Sequence, residues 1–473
     1  MKRPEVAVVG AGFSGVLTAL SVLEAGGADV RVHLIERADR FGVGAAYGTL
    51  QPDHLLNVRA ANMSADPTRP ADFMLWLSRR RGAAADAFAF ASRAEYGLYI
   101  QARLRRIAQS EAGADRLELS GDEVLAMTPG ADGLKLQLAM GRELRADVVV
   151  LATGNARPSD DVLPDPGFRD SPAYVRDPWS GALDAIGPDD PVLVLGTGLT
   201  MIDVIARLDA QGHQGRLLAL SRRGLTPRIH ARISGEPDPW RRAPAESLSR
   251  GLNRFRREAE AALDWRVVFD ALRPTAQELW KGLSHAERGR FLRHLQPWWE
   301  AHRHRLAPAM AARLEAWRAG RLRLAAGRLV SLAAVEDGVV AAWRPRGEDA
   351  TQHERVRFVV NCTGPEGDPT QSDQPLIRQL LKDGLVRADA FGLGLDVTED
   401  NRLIGSGGAP HETLFAIGPA ARGALWEVTA VPDIRVQARG LGGRAARAAE
   451  AKARPPQNSG ARVPRVTRRS DRA

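Results

Sequence analysis

The sequence has 473 residues, a hydrophobic content of 44% and a formal net charge of +9. This length predicts two or three domains, and no stretch offers the roughly 18 uncharged apolar residues that a membrane span needs. The single cysteine, Cys362, excludes an intrachain disulfide and a redox-active cysteine pair. We expect a cytoplasmic protein without disulfide-reductase chemistry.

The first motif is an apolar run, Glu5 to Val9, that breaks into three spaced glycines and a helix of small residues. This order brings backbone amides up to a pyrophosphate, and a carboxylate some 20 residues later binds a ribose. The stretch predicts a dinucleotide site rather than a glycine-rich turn without a ligand. The predicted cofactor contacts here are Gly10, Gly12, Phe13, Ser14, Gly15, Glu36 and Arg37, with Gly42 and Gly44 in the glycine-rich segment that follows.

Apolar spacing predicts amphipathic helices over 72–81 and 95–108. Short alternating runs at 116–119, 123–127 and 134–138 then predict a small β-meander. An apolar strand ends at Thr153 and Gly154, where we expect the chain to cross between domains close to a cofactor.

A second glycine turn follows the strand at 192–195. Its predicted cofactor contacts are Gly196, Gly198, Leu199 and Thr200, and Met201 stands at the third glycine position. The next strand, 216–220, ends in Arg222 and Arg223 where the first unit has Glu36. Cations at this position accommodate a ribose 2′-phosphate, so we expect this site to prefer NADPH over NADH. The alternative is a pair of solvated surface arginines.

The plan of the first half repeats downstream. A second meander over 321–343 precedes an apolar strand that closes on Thr363 and Gly364. The repeat predicts two dinucleotide-binding units built on one plan, which suits a bound redox cofactor supplied by a diffusible one.

Between the halves lies a segment rich in arginine and tryptophan that predicts helices over 246–271 and 275–306. Its histidines lack metal-ligand spacing, so no metal site is predicted. We interpret it as a helical insertion that roofs the second site. The last 33 residues carry nine Lys or Arg against two acidic residues, a net +7 of the total +9, and predict a disordered basic tail. Because the body holds little net charge, nucleic acid is not an expected partner.

The fold class that follows is α/β, with two Rossmann-like dinucleotide-binding domains, a helical insertion and a disordered basic C-terminal tail. The predicted division is a first dinucleotide-binding domain at 1–185, a second at 186–238 completed by 319–364, the insertion at 239–318 and the tail at 441–473.

The motifs together resemble a bacterial FAD/NAD(P)-binding oxidoreductase family within the two-dinucleotide-binding flavoproteins. The resemblance rests on Gly-Ala-Gly-Phe-Ser-Gly at 10–15, His54-Leu-Leu-Asn57, Asn62-Met-Ser64, Tyr96-Gly-x-Tyr99, Leu195-Gly-Thr-Gly-Leu-Thr-Met-x-Asp203, Ser221-Arg-Arg-Gly-Leu225, Arg290-Phe-Leu-Arg293 and Leu425-Trp-Glu-x-Thr-Ala-Val-Pro-x-Ile-Arg435. Some members resemble flavin-dependent monooxygenases that oxidise the nitrogen of an amino acid such as aspartate.

The resemblance implies FAD in the first unit and NADPH in the second. It also implies that the FAD-binding domain at 1–185 is completed by 365–440, and that 186–238 with 319–364 is the NAD(P)-binding domain. Within 365–440, residues 413–419 and a helix from Arg422 complete the FAD unit, with Gly418 and Gly423 near the cofactor. In the wider group an aspartate follows the equivalent of Gly418; here Pro419 stands there, and we expect backbone amides at a helix start near Gly423 to replace it.

Four residues are the predicted catalytic set: His54, Asn57, Trp426 and Glu427. We expect a flavin monooxygenase that hydroxylates the nitrogen of an amine or amino acid with molecular oxygen. Two alternatives stay open: a flavin reductase or dehydrogenase that avoids oxygen, and a non-catalytic flavin sensor or nucleic-acid-binding module. The sequence does not decide the oligomeric state.

Overall fold

The strands and helices are those of a computed structural model that describes residues 2–82, 84–233, 238–243 and 246–454. The strands are β1 Glu5–Val9, β2 Arg31–Ile35, β3 Leu117–Ser120, β4 Val124–Gly130, β5 Gly133–Leu138, β6 Glu143–Ala146, β7 Val148–Leu151, β8 Tyr174–Val175, β9 Val192–Leu195, β10 Leu217–Ser221, β11 Leu322–Val335, β12 Gly338–Pro345, β13 Gln352–Val356, β14 Phe358–Asn361, β15 Arg402–Ile404 and β16 Pro410–Ala416.

The helices are α1 Phe13–Ala25, α2 Gly44–Tyr47, α3 Asp72–Arg81, α4 Arg93–Ala108, α5 Glu111–Ala114, α6 Leu199–Ala210, α7 Leu248–Ala261, α8 Trp265–Ala271, α9 Ala276–Lys281, α10 His285–Arg290, α11 Gln296–Arg303, α12 Pro308–Gly320, α13 Pro375–Lys382 and α14 Val431–Ala453. A π-helical turn, Phe291–Leu295, joins α10 to α11.

The first sheet has the strand order β15-β16-β7-β1-β2-β3. All of its neighbouring strands are parallel except β15 and β16. Because β1 and β7 are buried on both faces, their sequences are nearly continuous apolar runs, whereas β2 also buries His33. Strand β16 returns from far along the chain to pair with β7, as the resemblance implied.

The second sheet has the order β13-β12-β11-β10-β9-β14-β8. Strands β8 to β10, β14 and the first part of β11 are parallel, whereas the second part of β11 pairs antiparallel with β12, and β12 with β13. In the first unit, strands β4, β5 and β6 form a separate antiparallel sheet. The two units therefore share one plan, in which a parallel sheet gives way to antiparallel strands before its closing strand.

The predicted first meander needs a correction. The run at 116–119 forms β3, which pairs in parallel with β2 in the first sheet and does not belong to the antiparallel sheet. Alternation alone does not distinguish an edge strand of a parallel sheet from a meander strand, since both have one exposed face.

The helical insertion contains α7 to α11 as separate short helices. Helix α12, which the predicted boundary at 318 assigns to the insertion, connects the parallel strands β10 and β11 instead. Its residues Met310, Ala311, Leu314 and Trp317 lie in one core cluster with Met201 and Ile205 of α6. By its packing, α12 is a helix of the second dinucleotide-binding unit.

The prediction that a disordered tail begins at 441 is wrong for residues 441–453, which form the second half of α14. Leu441, Ala445 and Ala449 are buried against α1. Alanine and glycine let the two helices approach closely, so a segment that is poor in large apolar residues still packs. The remainder of the predicted tail, 455–473, lies outside the described residues. Across the described ranges, no helix has the length and apolarity to cross a bilayer.

The packing of α14 on α1 gives a testable prediction at Gly442. A Cβ at this position would lie 2.4 Å from Cβ of Ser21 and 2.7 Å from its carbonyl carbon, whereas a Cβ at Gly440 meets only the flexible end of Arg444, at 3.3 Å. Both glycines lie inside α14, so Gly→Ala gains the same helix propensity at each. We expect G442A to be less stable than G440A by about 1–3 kcal/mol. The measurement is urea unfolding, and equal stabilities would contradict the packed helix.

Candidate functional site

The first glycine turn has backbone geometry that admits only glycine. Gly10 has a φ of +98°, and a Cβ on it would lie 2.4 Å from the carbonyl oxygen of Ala152. A Cβ on Gly15 would lie 1.8 Å from the carbonyl oxygen of Gly10. Helix α1 starts directly behind the turn with no side-chain cap and no acidic residue in its first turn. Its first N–H groups are therefore available to an anion.

The second turn repeats this geometry. Gly196 has a φ of +110°, and a Cβ on it would lie 2.4 Å from the carbonyl oxygen of Cys362. A Cβ on Gly198 would meet nothing within 4 Å, which leaves open space where a phosphate approaches. Helix α6 also begins without a side-chain cap or an acidic residue. Met201, at the third glycine position, is fully buried in the core of the unit.

The strand ends that follow the two turns differ in charge. One oxygen of Glu36 accepts a hydrogen bond from the backbone N–H of Ala11 (2.9 Å), which holds the carboxylate beside the first turn. In the second unit, Arg222 is exposed and forms no ion pair within the described ranges. Arg223 donates only a long hydrogen bond, 3.4 Å, to the carbonyl oxygen of Arg293. The arrangement fits a free ribose in the first unit and a phosphorylated one in the second.

The other predicted cofactor contacts surround these turns. The Cα of Gly44, φ +53°, lies 3.5 Å from a Cβ built on Gly12, so the two loops touch. Gly154 and Gly364 have a φ of +71° and +95°, and a Cβ on either would meet nothing within 4 Å. Phe13 and Ser14 are buried, Leu199, Thr200 and Thr153 are partly buried, Thr363 is exposed, and Gly42, φ +91°, packs on Gln101. The structure leaves Arg37 exposed near Glu123, 3.8 Å away.

The prediction of a helix start near Gly423 is wrong. Residues 422–430 form turns, and α14 begins only at Val431. The left-handed backbone of Glu427, φ +69°, is incompatible with a continuous helix over this stretch. The Gly423 carbonyl oxygen accepts a hydrogen bond from the indole N–H of Trp280 (3.0 Å), so this glycine contacts the helical insertion. Gly418, φ +70°, instead lies against Ser14, whose Oγ would be 2.6 Å from its Cβ.

His54 does not face an open cleft. It is buried, its Nδ1 lies 2.8 Å from the Thr49 hydroxyl, and its Nε2 lies 3.0 Å from the carbonyl oxygen of Asp203 on α6. The Asp203 carboxylate accepts a hydrogen bond from Arg93 (2.6 Å). Burial lowers the pKa of His54 and raises the pKa of Asp203. His54 and Arg93 thus join the first unit to the second, and a catalytic role for His54 stays a prediction.

Asn57 and Glu427 do lie together, in a polar cleft of about 1170 Å³. The cleft is bounded by residues 57–62 and α14 of the first unit, His230 of the second unit and the helical insertion. The Asn57 carbonyl oxygen lies 2.9 Å from Nε2 of His230. Burial lowers the pKa of His230 to about 4, so this ring is neutral at pH 7.

Glu427 has a φ of +69°, which non-glycine residues rarely adopt. Its carboxylate accepts a hydrogen bond from the Trp299 indole N–H (2.7 Å) and lies 2.8 Å from Nε of Arg303. Backbone strain of this kind persists where surrounding contacts impose it, and it is concentrated at functional sites. Here the contacts come from the insertion.

Two further residues of the cleft were missed by the sequence analysis. Nη2 of Arg273 is buried without a hydrogen-bond partner among the described residues, and burial together with the charge of Arg303 lowers the pKa of Arg273 to about 10. Burial also raises the pKa of Asp433, against the opposing charges of Arg273 and Arg303. Asp433 lies in the Trp-Glu motif region that the resemblance singled out, whereas Arg273 carries no sequence signal.

Trp426 does not line the polar cleft. It lines a second, apolar cavity and stacks on Trp280, with 4.7 Å between ring centroids. The structure therefore separates the predicted catalytic set into three places: Asn57 and Glu427 in the cleft, His54 between the units and Trp426 in the cavity. Among the described residues, no cluster of three or more His, Cys, Asp or Glu could hold a metal ion.

Residues 7–156 match a family model described as FAD-NAD(P)-binding. The match covers the first glycine turn and Glu36, and it confirms the predicted resemblance and the two cofactor types. The preference for NADPH over NADH stays a prediction. No curated protein matches the sequence.

Several solved structures are similar over nearly the whole chain. The reduced form of ornithine hydroxylase from Pseudomonas aeruginosa is 17% identical, with a TM-score of 0.63 over 95% of this chain and 100% of that chain. Ornithine N-hydroxylase from Kutzneria sp. 744, with reduced FAD, NADP⁺ and L-ornithine, is 14% identical, with a TM-score of 0.62 over 96% and 100%. L-lysine 6-monooxygenase from Pseudomonas syringae is 16% identical, with a TM-score of 0.61 over 96% and 100%. At these identities the likeness establishes the fold, two Rossmann-like domains as predicted.

The charge at the second strand end predicts coenzyme choice. We expect R222A/R223A to raise the Kd for NADPH by about tenfold or more, because charge-assisted hydrogen bonds to a phosphate are lost, and to leave the Kd for NADH nearly unchanged. The measurement is anaerobic bleaching of the protein-bound flavin by each coenzyme. The matched control is R216A, an exposed arginine that precedes β10 at its opposite end. Equal effects on the two coenzymes would contradict the assignment.

The pKa of His230 predicts a pH dependence of stability. Because its folded-state pKa, about 4, lies below its ordinary value of 6.5, the unfolded chain binds the additional proton between these values. Stability contributed by the neutral ring is present above pH 6.5 and is lost as the pH falls towards 4. We expect H230N to lose less free energy of unfolding than wild type between pH 7 and 5. Urea unfolding at both pH values checks this, and an unchanged difference would contradict the burial of a neutral ring.

Proposed function

We propose that this protein is an NADPH-dependent flavoprotein monooxygenase that hydroxylates the nitrogen of an amine or amino acid. The observation that carries the proposal is the polar cleft, which both dinucleotide-binding units border. In it the carboxylates of Glu427 and Asp433 share the lining with Arg273, whose Nη2 has no hydrogen-bond partner among the described residues. Support also comes from the fold, which is that of ornithine and lysine N-monooxygenases.

The residues around the two turns fit the two cofactors. The open N-termini of α1 and α6 would hold the pyrophosphates, Glu36 the ribose of FAD, and Arg222 with Arg223 the 2′-phosphate of NADPH. FAD held there would supply the transfer of a hydride from NADPH and of electrons to oxygen. Gly154 and Gly364, which follow Thr153 and Thr363, have open space beside them, so the chain leaves room for a cofactor at both positions.

The overall reaction balances as one amine, one O₂, one NADPH and one proton giving one hydroxylamine, one water and NADP⁺. One oxygen atom forms the new N–O bond, and the other leaves as water. The hydride of NADPH supplies two of the four electrons that O₂ accepts, and the substrate nitrogen supplies the other two.

The charged residues of the cleft have distinct roles in this proposal. Arg273 attracts a substrate carboxylate, because its unpaired Nη2 has no other buried partner in the described part of the chain. Asp433, whose pKa burial raises, accepts the proton that a substrate ammonium must lose before its nitrogen can react. Glu427 is already held by Trp299 and Arg303 and orients the wall of the cleft.

The test of this function measures product and coenzyme together. Protein reconstituted with FAD is supplied with NADPH, O₂ and each of L-aspartate, L-ornithine, L-lysine and cadaverine. We expect one of these, or a close analogue, to increase NADPH oxidation and to yield one hydroxylamine per NADPH. Hydrogen peroxide without hydroxylamine for any amine would favour the flavin reductase instead. Absence of NADPH oxidation, or failure to bind FAD, would contradict both enzymes.

Arg273 gives the sharper test. We expect R273M to raise the KM for a carboxylate-bearing substrate by about tenfold or more, since a hydrogen bond to a charged group is lost, with a smaller change in kcat. R273K should have a KM between those of wild type and R273M, because lysine keeps the positive charge but lacks the two parallel N–H groups of the guanidinium. The control is R250M, an exposed arginine of α7 outside the cleft. A carboxylate-free amine should respond equally little to all three variants.

A further inference from the structure

A second cavity, of about 940 Å³, lies between the helical insertion and the second dinucleotide-binding unit and has no role in the proposed reaction. It lies between α7, α8, α9, α11 and α12. Small-molecule sites occupy about 300–1,000 Å³ and are lined mainly by apolar and aromatic side chains. The aromatic residues of its walls include Trp240, Phe255, Trp265, Trp280, Trp298 and Trp299.

Helix α7 forms one wall, and its apolar face adjoins the cavity instead of a packed core. Leu248, Leu252, Phe255 and Ala259 share one face at helical spacing and line the cavity. Gly251 is the buried residue of this helix, and Leu252 and Phe255 stay partly exposed. An amphipathic helix of a folded protein normally buries this face in a close-packed core. Here the face adjoins open space of ligand size.

The mouth of the cavity is marked by exposed residues of its lining. Ile229 is 44% exposed and Trp298 is 43% exposed. Arg318 pairs with Glu315 at 3.0 Å, whereas Arg228, Arg256 and Glu260 form no ion pair within the described ranges. Two arginines and one glutamate at the mouth thus form no ion pair among the described residues, and their net positive charge favours an anionic group there.

We propose that this cavity binds an apolar chain that carries an anionic head group, with the chain among the tryptophans and the head at Arg228 and Arg256. Two sources fit this chemistry: the side chain of a long amino-acid substrate that ends in a second carboxylate, or a separate carboxylic-acid effector. Phe269 and Ala276 line both this cavity and the polar cleft, so only a thin wall separates the two spaces.

The direct test is equilibrium dialysis of radiolabelled dodecanoate against the FAD-loaded protein, below the micellar concentration and without NADPH. We expect saturable binding of one dodecanoate per chain. A259F adds a phenyl group to the cavity wall, where it takes space from the bound chain, and should weaken binding by about tenfold or more. A261F, on the exposed end of α7 outside the lining, adds the same group and should leave binding within about twofold. Absence of saturable binding, or equal loss in both variants, would overturn the proposal.

The head group has its own pair of variants. R256A should weaken dodecanoate binding several-fold, and R257A, its exposed neighbour outside the lining, should not. Dodecyltrimethylammonium should displace dodecanoate less well than unlabelled dodecanoate does. Better displacement by the cation would overturn the assigned charge preference.

The two sources are distinguished by turnover. If the chain belongs to the substrate, 2-aminododecanedioate, whose side chain ends in a second carboxylate, should be hydroxylated with a lower KM than L-aspartate, and A259F should remove that advantage. If it belongs to an effector, dodecanoate should bind together with a short amine substrate and not compete with it. Because binding is measured without turnover, failure of the monooxygenase assay leaves this test intact, and the reverse also holds.

Discussion

One backbone contact occurs in both halves of the chain and fixes the position of each glycine turn relative to the closing strand of its unit. The first glycine of each turn lies against the carbonyl group that ends the closing strand of its unit, Ala152 for Gly10 and Cys362 for Gly196, and a Cβ would come within 2.4 Å of that oxygen in each. No side chain fits this approach, and each glycine also has a positive φ. The closing strand then passes directly into Thr-Gly beside the open end of a helix. In each unit, the N-terminus of the helix and the Thr-Gly segment therefore lie close to the same glycine turn.

This contact explains why so much of the fold could be predicted. Glycine spacing, buried apolar strands and Thr-Gly endings are local signals, since each follows from backbone sterics or from burial on both faces of a parallel sheet. The same signals located Glu36 and Arg222, because a strand end fixes where the next side chains stand. The repeat of the signals then revealed the second unit. Where the sequence lacked such signals, as at the start of α14, the predicted element began too early.

The cleft was harder to predict because its residues meet only through tertiary packing. Arg273 and Asp433 are 160 positions apart, and neither stands in a pattern whose spacing implies the other. His54 was selected for its motif and its chemistry, yet its two ring nitrogens are already occupied at the contacts with Thr49 and Asp203. The C-terminal segment misled for a different reason: positive charge and small residues are typical of disorder, but they also suit a helix that lies close against α1.

The insertion connects the polar cleft and the apolar cavity through a few side chains. Trp299 lines the cavity and donates to Glu427 of the cleft, while Trp426, the residue before Glu427, stacks on Trp280 inside the cavity. The strained backbone of Glu427 therefore stands between two aromatic contacts that belong to the insertion. A ligand that moves Trp299 acts on that carboxylate through a direct hydrogen bond, and one that moves Trp280 acts on it through the neighbouring residue Trp426. The part of the chain without a dinucleotide motif is thus the part that shapes the wall of the proposed reaction site.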